Sequence, residues 1–342
     1  EKDLLGEVRI PKHALWGVHT SRAAENFPIS GEPVGAFSEF IRAFVSVKQA
    51  SARTNRALGY LDTERADLIE AACQALQTQD DYRSYFIVDA MQGGAGTSTN
   101  MNVNEVIANV ALKLAGHKPG DYQILHPNDH VNMAQSTNDV YPTALRLGLF
   151  TATKPLLGAL EELARTFEEK ADEFSDILKV GRTQLRDAVP MTLGQEFRAF
   201  QHAIETEIHH IRSQSEAFLT VNLGGTAIGT GLNTDPRYAN TVLQELGRLT
   251  DLAVKGASDR IEATSDVGVF VLFSGVLKRL ALKLSKIASD QRLLSSGPRA
   301  GIGEITLPSV QAGSSIMPGK VNPVIPEAVN QVAYLVAGYD VT

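Results

Sequence analysis

The sequence predicts a mainly α-helical fold built around a bundle of long helices. Three stretches, at about residues 139–176, 192–221 and 263–294, place apolar side chains at spacings of three and four residues, as amphipathic helices do. Each stretch is much longer than the average globular helix of about 11–12 residues. Strand-like alternation is scarce. Helices of this length leave apolar faces that other subunits usually bury, so the same pattern predicts an oligomer.

Shorter elements are assigned from the same periodicity. Helices are predicted at about residues 38–58, 63–76 and 102–115. Residues 1–36 contain scattered glycine and proline, and we expect them to be irregular or to form short strands. A last helix is predicted from Pro326 and has no stop signal, so the sequence is expected to end inside a helix.

The composition argues against several classes of protein. A net charge of −7 is unfavourable for a nucleic-acid partner, because such proteins usually present a basic surface. The longest apolar run, residues 267–277, is interrupted and too short for a membrane span, and the charged first residues do not resemble a signal peptide. Cys73 is the only cysteine, which excludes an intrachain disulfide and suits the reducing cytoplasm. We therefore expect a cytoplasmic protein that binds neither nucleic acid nor membrane.

The common cofactor and metal signatures are missing from the sequence. It contains no G-x-x-x-x-G-K-[ST], no H-E-x-x-H and no paired C-x-x-C motif. His202, His209 and His210 lie at helical spacing in a polar stretch, and ordinary helix histidines are a better interpretation than a metal site. No cofactor or metal is expected.

Hydroxyl and amide residues cluster at predicted segment boundaries. Thr97 and Ser98 follow a glycine-rich loop, residues 136–139 read Ser-Thr-Asn-Asp, and residues 181–184 read Gly-Arg-Thr-Gln. One interpretation is helix capping, since these residue types are preferred N-caps. The other is an anion site, because the free N–H groups at helix N-termini favour a carboxylate. Several such ends that converge would form a pocket for a small dianion.

A fourth segment, residues 313–323, reads Gly-Ser-Ser-Ile-Met-Pro-Gly-Lys-Val-Asn-Pro. Two glycines and two prolines exclude a regular helix and predict a loop. A solvated connection is the simplest interpretation. However, Ile316, Met317 and Val321 would be costly to leave exposed, and a loop that folds over a ligand would bury them.

These segments together resemble the aspartase/fumarase superfamily. Residues 313–323 resemble its signature, and residues 93–97, 136–139 and 181–183 match the other family segments in order and spacing. Further matches lie at residues 229–234 and 295–299. Residues 181–192 are closer to the aspartase branch; fumarases typically have histidine where Gln184 stands, as do some aspartases. Arg186 departs from the glutamine usual in the family.

The resemblance implies a fold and an assembly. A small N-terminal domain is expected at residues 1–138, followed by a central helical-bundle domain at residues 139–342 that is truncated at its C-terminal end. The family's C-terminal domain would lie outside these 342 residues. The family also implies a homotetramer, in which each active site draws segments from three subunits.

The resemblance further implies a lyase that deaminates L-aspartate reversibly to fumarate. The expected reaction is an anti-elimination through an aci-carboxylate intermediate, with Ser314 as the general base on a mobile loop and no cofactor. In the family, the residues matching Thr97, Ser136 and Thr137 hold the β-carboxylate, assisted by loop N–H groups that include that of Ser315. Those matching Lys320 and Asn322 bind the α-carboxylate, those matching Asn138 and Thr183 lie near the amine, and Gln184 is expected near the substrate.

Three alternatives remain open from the sequence. The chain could be a fumarate hydratase, which shares the fold and the intermediate. It could instead be an inactive scaffold, although Ser314, Lys320 and Asn322 are all present. Residues 126–129 resemble a second anion site of the fumarase branch, but they also read as an ordinary turn with a helix cap.

Overall fold

The computed structural model describes residues 1–342, with the exception of the Asp80 side chain, and the chain is mainly α-helical. The helices are α1 (Val18–Asn26), α2 (Ser38–Ala57), α3 (Thr63–Thr78), α4 (Thr97–Leu114), α5 (Thr137–Glu173), α6 (Leu193–Ser215), α7 (Tyr238–Thr250), α8 (Arg260–Ser265), α9 (Gly268–Leu294) and α10 (Val324–Val341). Among the described residues, no helix combines the length and apolarity needed to cross a membrane.

Short strands form three pairs. Strands β1 (Lys2–Asp3) and β2 (Gly6–Glu7) are antiparallel, as are β3 (Leu178–Thr183) and β4 (Arg186–Thr192). Strands β5 (Thr220–Val221) and β6 (Lys255–Gly256) pair in parallel. The β3–β4 hairpin is the longest of these pairs and contains two of the predicted site residues.

The chain forms two compact units, each made from two stretches. The first unit comprises residues 1–152 and 216–267. Within it, α2 packs on α3 and α7, α3 packs on α4, and α4 packs on α1. Helix α4 is buried along most of its length. The core of this unit includes Phe44, Val47, Ile69, Val103, Val106, Ile107, Val110, Leu112, Val140 and Leu147.

The second unit comprises residues 153–215 and 268–342. Helix α9 packs on both α6 and α10. The C-terminal half of α5 and the residue after it meet α6 through aromatic side chains. Phe167 contacts Phe197 and Phe200, and Phe174, directly after α5, contacts Phe197 in an edge-to-face arrangement. Such aromatic pairs add to the stabilisation that comes from burial alone.

The predicted helices at residues 38–58, 63–76 and 139–176 are confirmed with small shifts of their ends. Others need correction. Residues 18–26 form α1 rather than irregular chain, and α4 begins at Thr97 instead of residue 102. The predicted helix at 192–221 ends at Ser215, and that at 263–294 is interrupted between α8 and α9. The domain boundary at residue 138 stays a prediction, because each compact unit combines two separate stretches of the chain and does not test a boundary in the sequence.

Candidate active site

The predicted site residues fall into two groups, one in each compact unit. The first unit contains Thr97, Ser136, Thr137 and Asn138, and the second contains Thr183, Gln184, Ser314, Ser315, Lys320 and Asn322. Each group is built by helix starts, turns or loops, where backbone N–H groups are free of helical partners.

Thr97 is exposed at the start of α4, directly after a glycine that cannot be replaced without strain. Gly96 has a left-handed φ of 91°, and an added Cβ would lie 2.3 Å from the Tyr141 ring. The Thr97 hydroxyl donates to the Gly94 carbonyl at 2.8 Å. Gln92 supplies the cap, since its Oε1 accepts from the Thr99 N–H at 2.9 Å. Capping therefore does not require Thr97.

Ser136 and Asp139 cap the start of α5 reciprocally. The Asp139 carboxylate accepts from the Ser136 N–H at 3.0 Å, and Ser136 Oγ accepts from the Asn138 N–H at 3.2 Å. The second oxygen of Asp139 accepts from the N–H groups of Gly224 and Thr226. Burial raises the pKa of Asp139 to about 6, although these backbone donors act against the shift. The capping interpretation therefore holds for Ser136 and Asp139.

Asn138 lies on the exposed side of the same helix start. Its side-chain amide donates to the Ala227 carbonyl at 2.8 Å, and its own carbonyl accepts from Asn222. These bonds join the start of α5 to residues 222–227 within the first unit. Among residues 136–139, Thr137 therefore has a hydroxyl that takes part in neither of the two capping bonds of Ser136 and Asp139.

A buried lysine lies behind Thr137. Lys48 of α2 is fully buried, and its ammonium donates to Asn100 Oδ1 at 2.7 Å, Asn132 Oδ1 at 2.9 Å and Gln135 Oε1 at 2.8 Å. Asn100 in turn donates from Nδ2 to Thr137 Oγ1 at 3.1 Å. Burial lowers the pKa of Lys48 to about 7, while the Asp139 carboxylate acts in the opposite direction.

This network fixes the direction of the Thr137 hydroxyl. A lysine ammonium only donates, so the atom of Asn100 that faces Lys48 must be its oxygen. The Asn100 amide then faces Thr137, whose oxygen must accept. The hydroxyl hydrogen of Thr137 is left for another acceptor, as a carboxylate-binding group requires. Sequence reasoning missed Lys48; its only signal is a lysine within the apolar run of α2.

Thr183 and Gln184 lie at the tip of the β3–β4 hairpin, and the sequence did not predict this hairpin. The turn consists of Gln184 and Leu185, whose φ values of 50° and 65°, respectively, are both left-handed. A two-residue turn of this kind normally uses asparagine and glycine, so two residues with full side chains are strained here. Thr183 and Gln184 are exposed, and Leu185 is 72% exposed.

The serine loop, residues 313–323, is held at its base by short backbone contacts. Gly313 N–H donates to the Lys320 carbonyl at 2.7 Å, and Asn322 Nδ2 donates to the Gly313 carbonyl at 2.9 Å. An added Cβ at Gly313 would lie 2.6 Å from the Asn322 nitrogen, which requires glycine there. Within this loop Ser315 and Lys320 are exposed.

Ser314 Oγ accepts two backbone hydrogen bonds inside the loop. The Ile316 N–H donates at 3.3 Å and the Met317 N–H at 3.1 Å. Donors aimed at a hydroxyl oxygen lower the cost of removing its proton. The side chains of Ile316 and Met317 are 82% and 51% exposed, so the loop does not bury them in this structure.

His126 caps a helical turn, which agrees with the simpler interpretation of residues 126–129. Its Nδ1 accepts from the N–H groups of Asn128 and Asp129, both at 3.2 Å, at the start of the π-helical turn Pro127–Val131. The His126 N–H donates to His130 Nδ1 at 2.8 Å. A second anion site here stays a prediction.

Comparisons with known proteins place the chain among lyases. A family model described as lyase matches residues 6–338. Aspartate ammonia-lyase of Pseudomonas canavaninivorans is 57% identical over 341 residues, which cover 99% of this chain and 72% of that protein. Aspartate ammonia-lyase of Escherichia coli strain K12 is 54% identical over 342 residues, which cover 100% of this chain and 72% of that protein.

Solved structures agree with this similarity. The cobalt-bound crystal structure described as fumarate lyase:delta crystallin from Brucella melitensis has a TM-score of 0.97 and 52% identity. The class II fumarase of Schistosoma mansoni has a TM-score of 0.94 and 33% identity. Both matches cover 100% of this chain and 74% of the solved chain.

Proposed function

The chain belongs to the aspartase/fumarase superfamily of lyases, and we propose that it converts L-aspartate reversibly into fumarate and ammonia. The structural observation that supports this best is Ser314, whose oxygen accepts from two loop N–H groups. Aspartate is favoured over malate because the aspartate ammonia-lyases are 54–57% identical over the whole chain, whereas the class II fumarase is 33% identical.

In the proposed reaction, Ser314 acts as an alkoxide that removes a proton from Cβ of aspartate. The electron pair of the broken C–H bond moves onto the β-carboxylate and gives an aci-carboxylate dianion. That pair then forms the Cα–Cβ double bond as the C–N bond breaks, and ammonia leaves with the pair of the C–N bond. Fixed hydrogen-bond donors around the dianion supply most of the stabilisation that such a step needs.

The other predicted residues take complementary roles. Thr97, Ser136 and Thr137 bind the β-carboxylate, a role supported by the donor direction that Lys48 and Asn100 impose on Thr137. The N–H of Ser315 joins them. Lys320 and Asn322 bind the α-carboxylate, while Asn138 and Thr183 lie near the amine with Gln184 beside the substrate. No step requires a cofactor.

We also propose a cytoplasmic homotetramer with shared active sites. The exposed hairpin tip and the apolar side chains left exposed on α9 and α10 support a surface that other subunits cover. Those on the two helices are Val271, Leu272, Leu282, Leu293, Ile325, Val332, Tyr334, Leu335, Tyr339 and Val341. Cys73 is buried as a free thiol, which is consistent with a reducing compartment.

A substrate panel followed by ultraviolet absorbance of fumarate tests the proposal. The purified protein is expected to form fumarate from L-aspartate much faster than from L-malate. Malate turnover well above aspartate turnover would instead assign a fumarate hydratase, the alternative favoured by the 0.94 TM-score of the class II fumarase. Dicarboxylate binding without turnover of any panel member would assign an inactive scaffold.

A further inference from the structure

Two site segments of the second unit lie far apart in the chain. An acidic residue in the segment that leads into the second of them contacts the first. The β3–β4 hairpin contains Thr183, and the serine loop contains Ser314. Between α9 and the serine loop, residues 295–312 have no regular secondary structure. Such a segment is positioned by individual hydrogen bonds and side-chain contacts instead of by a regular helical or strand hydrogen-bond pattern.

Glu304 supplies such contacts, and it reaches the hairpin with both carboxylate oxygens. Its Oε1 accepts from Arg182 Nη2 at 2.6 Å, and its Oε2 lies 3.0 Å from Lys179 Nζ. Lys179 and Arg182 are both in β3, and Arg182 directly precedes Thr183. The side chain of Lys179 is only 7% exposed, so this pair is shielded from solvent more than a surface ion pair.

The charge state of this cluster is fixed. The Arg182 guanidinium hydrogen-bonded to Glu304 holds the pKa of that carboxyl below its usual range, although partial burial acts against this. The same bond raises the pKa of Arg182. Glu304 therefore remains ionised at neutral pH, and the cluster persists as a charge-assisted contact.

The chain neighbours of Glu304 face the same cavity as the base of the serine loop. The Glu304 N–H donates to the Leu294 carbonyl at 2.8 Å, which ties the segment to the end of α9. A cavity of about 290 Å³ is lined both by Gly303 and residues 305–309, the chain neighbours of Glu304, and by Val321, Asn322 and Pro323 of the loop. Asn322 in turn holds the Gly313 carbonyl, next to Ser314.

We infer that Glu304 is a positioning residue that couples the hairpin bearing Thr183 to the base of the serine loop. The expected effect on kinetics rests on the proposed function. The coupling itself is a property of the folded chain and does not depend on activity. Loss of the Glu304 charge leaves Arg182 and Lys179 without their shared partner. Both the hairpin tip and the loop base are then free to shift, and small misplacements of catalytic groups are costly.

Glu304→Gln tests the inference because it keeps the shape and removes the charge. We expect kcat of the purified, folded protein to fall by about 10- to 100-fold and KM to rise as well, because Lys320 and Asn322, proposed to bind the α-carboxylate, belong to the loop base that shifts. Hydrogen exchange followed by mass spectrometry should show faster exchange at residues 178–192 and 313–323, with α2 and α4 unchanged. If Glu304→Gln does not fold, Arg182→Met tests the same contact from the hairpin side.

Glu196→Gln is the matched control. Glu196 also pairs with Lys179, from the first turn of α6, but it does not hold the segment that precedes the serine loop. This variant should keep its steady-state constants within about twofold of those of the unaltered protein. The inference fails if Glu304→Gln leaves exchange at residues 313–323 unchanged, or if Glu196→Gln produces the same changes. Inactive unaltered protein would defeat the proposed function, whereas the exchange experiment would still decide the coupling.

Discussion

Ser314 is the residue on which the proposed chemistry depends most directly. Ser314→Ala removes the proposed base and leaves in place every residue proposed to bind a carboxylate. We expect kcat to fall by at least about 100-fold, since general-base catalysis typically contributes that much or more, while a dicarboxylate inhibitor still binds. Steady-state kinetics and isothermal titration of the inhibitor measure the two effects separately.

Lys320→Ala provides the comparison for that variant. Its ammonium is proposed to bind the α-carboxylate, so this change should weaken inhibitor binding as well as turnover. Near-normal turnover in Ser314→Ala would require a different base. Equal loss of binding in both variants would mean that Ser314 contributes to the ground-state complex instead of to the proton transfer.

Lys48 gives a second prediction at the scale of the residue, about how the stability of the protein depends on pH. The pKa of Lys48 is lowered to about 7 by burial, whereas a lysine in the unfolded chain has a pKa of about 10.4. Between these values the unfolded chain binds more protons than the folded one, so this residue makes stability rise with pH. The penalty for its burial is fully present below pH 7 and is relieved as the pH rises from about 7 towards 10.

The measurement is the thermal midpoint of unfolding at pH 7 and pH 9. Relative to the thermal midpoint of Lys48→Met, that of the unaltered protein should be higher at pH 9 than at pH 7. Lys113→Met serves as the matched control, because Lys113 is an exposed lysine near the end of α4. A Lys48→Met difference that does not vary with pH would show that Lys48 does not titrate in this range.

At the scale of the element, the start of α4 depends on Gly96. Gly96→Ala introduces a left-handed residue and also places a Cβ 2.3 Å from Tyr141. Gly94→Ala introduces the same kind of strain at φ 92°, but its nearest neighbour, Thr97, is 3.8 Å away. Left-handed backbone at a non-glycine residue costs about 1–2 kcal/mol, and only Gly96→Ala adds a clash.

We therefore expect Gly96→Ala to lower the thermal midpoint more than Gly94→Ala. It should also lower kcat/KM more, because the clash displaces the turn that presents Thr97. Thermal denaturation and steady-state kinetics on both variants make the comparison. Equal effects of the two substitutions would show that the Tyr141 contact relaxes without cost.

The elements that the sequence predicted well are those whose burial pattern is long and regular. Helix α5 keeps its apolar spacing across Thr137–Glu173, so its existence does not depend on any single residue. Helix α1 is short and only three of its side chains are buried, which gives too little periodicity to recognise. The β3–β4 hairpin was missed because its turn is Gln184–Leu185, whose side chains normally disfavour that conformation.

The candidate site was predictable only where its residues follow one another in the chain. The cluster at residues 136–139 stands out as four polar residues in a row; capping is found there, as is a Thr137 hydroxyl that accepts from Asn100. Lys48 could not be assigned a role from the sequence, because its partners lie 52 to 87 residues away. Only the fold brings an apolar stretch of α2 against the helix starts of α4 and α5.

At the scale of the whole molecule, many large apolar side chains are exposed, and several of them lie on α10 and on the β3–β4 hairpin. Those of α10 include Val332, Tyr334, Leu335 and Tyr339, and the hairpin adds Leu185 and Val189. Side chains of this size stabilise an interface by roughly 1.5–3 kcal/mol each when fully buried. A group this large is more than a monomer usually leaves in contact with water.

Shared active sites give the last prediction, which tests the assembly through the chemistry. Ser314→Ala and Thr183→Ala are each expected to be inactive, since one lacks the proposed base and the other lacks a residue proposed near the amine. If each site takes its serine loop and its hairpin from different subunits, a mixed tetramer contains some sites with both segments intact. Mixing the two variants after dissociation and reassociation should then restore part of the activity, and light scattering should show a tetramer. Each variant dissociated and reassociated alone is the control. Mixed tetramers that form without any recovered activity would show that each subunit supplies both segments to its own site.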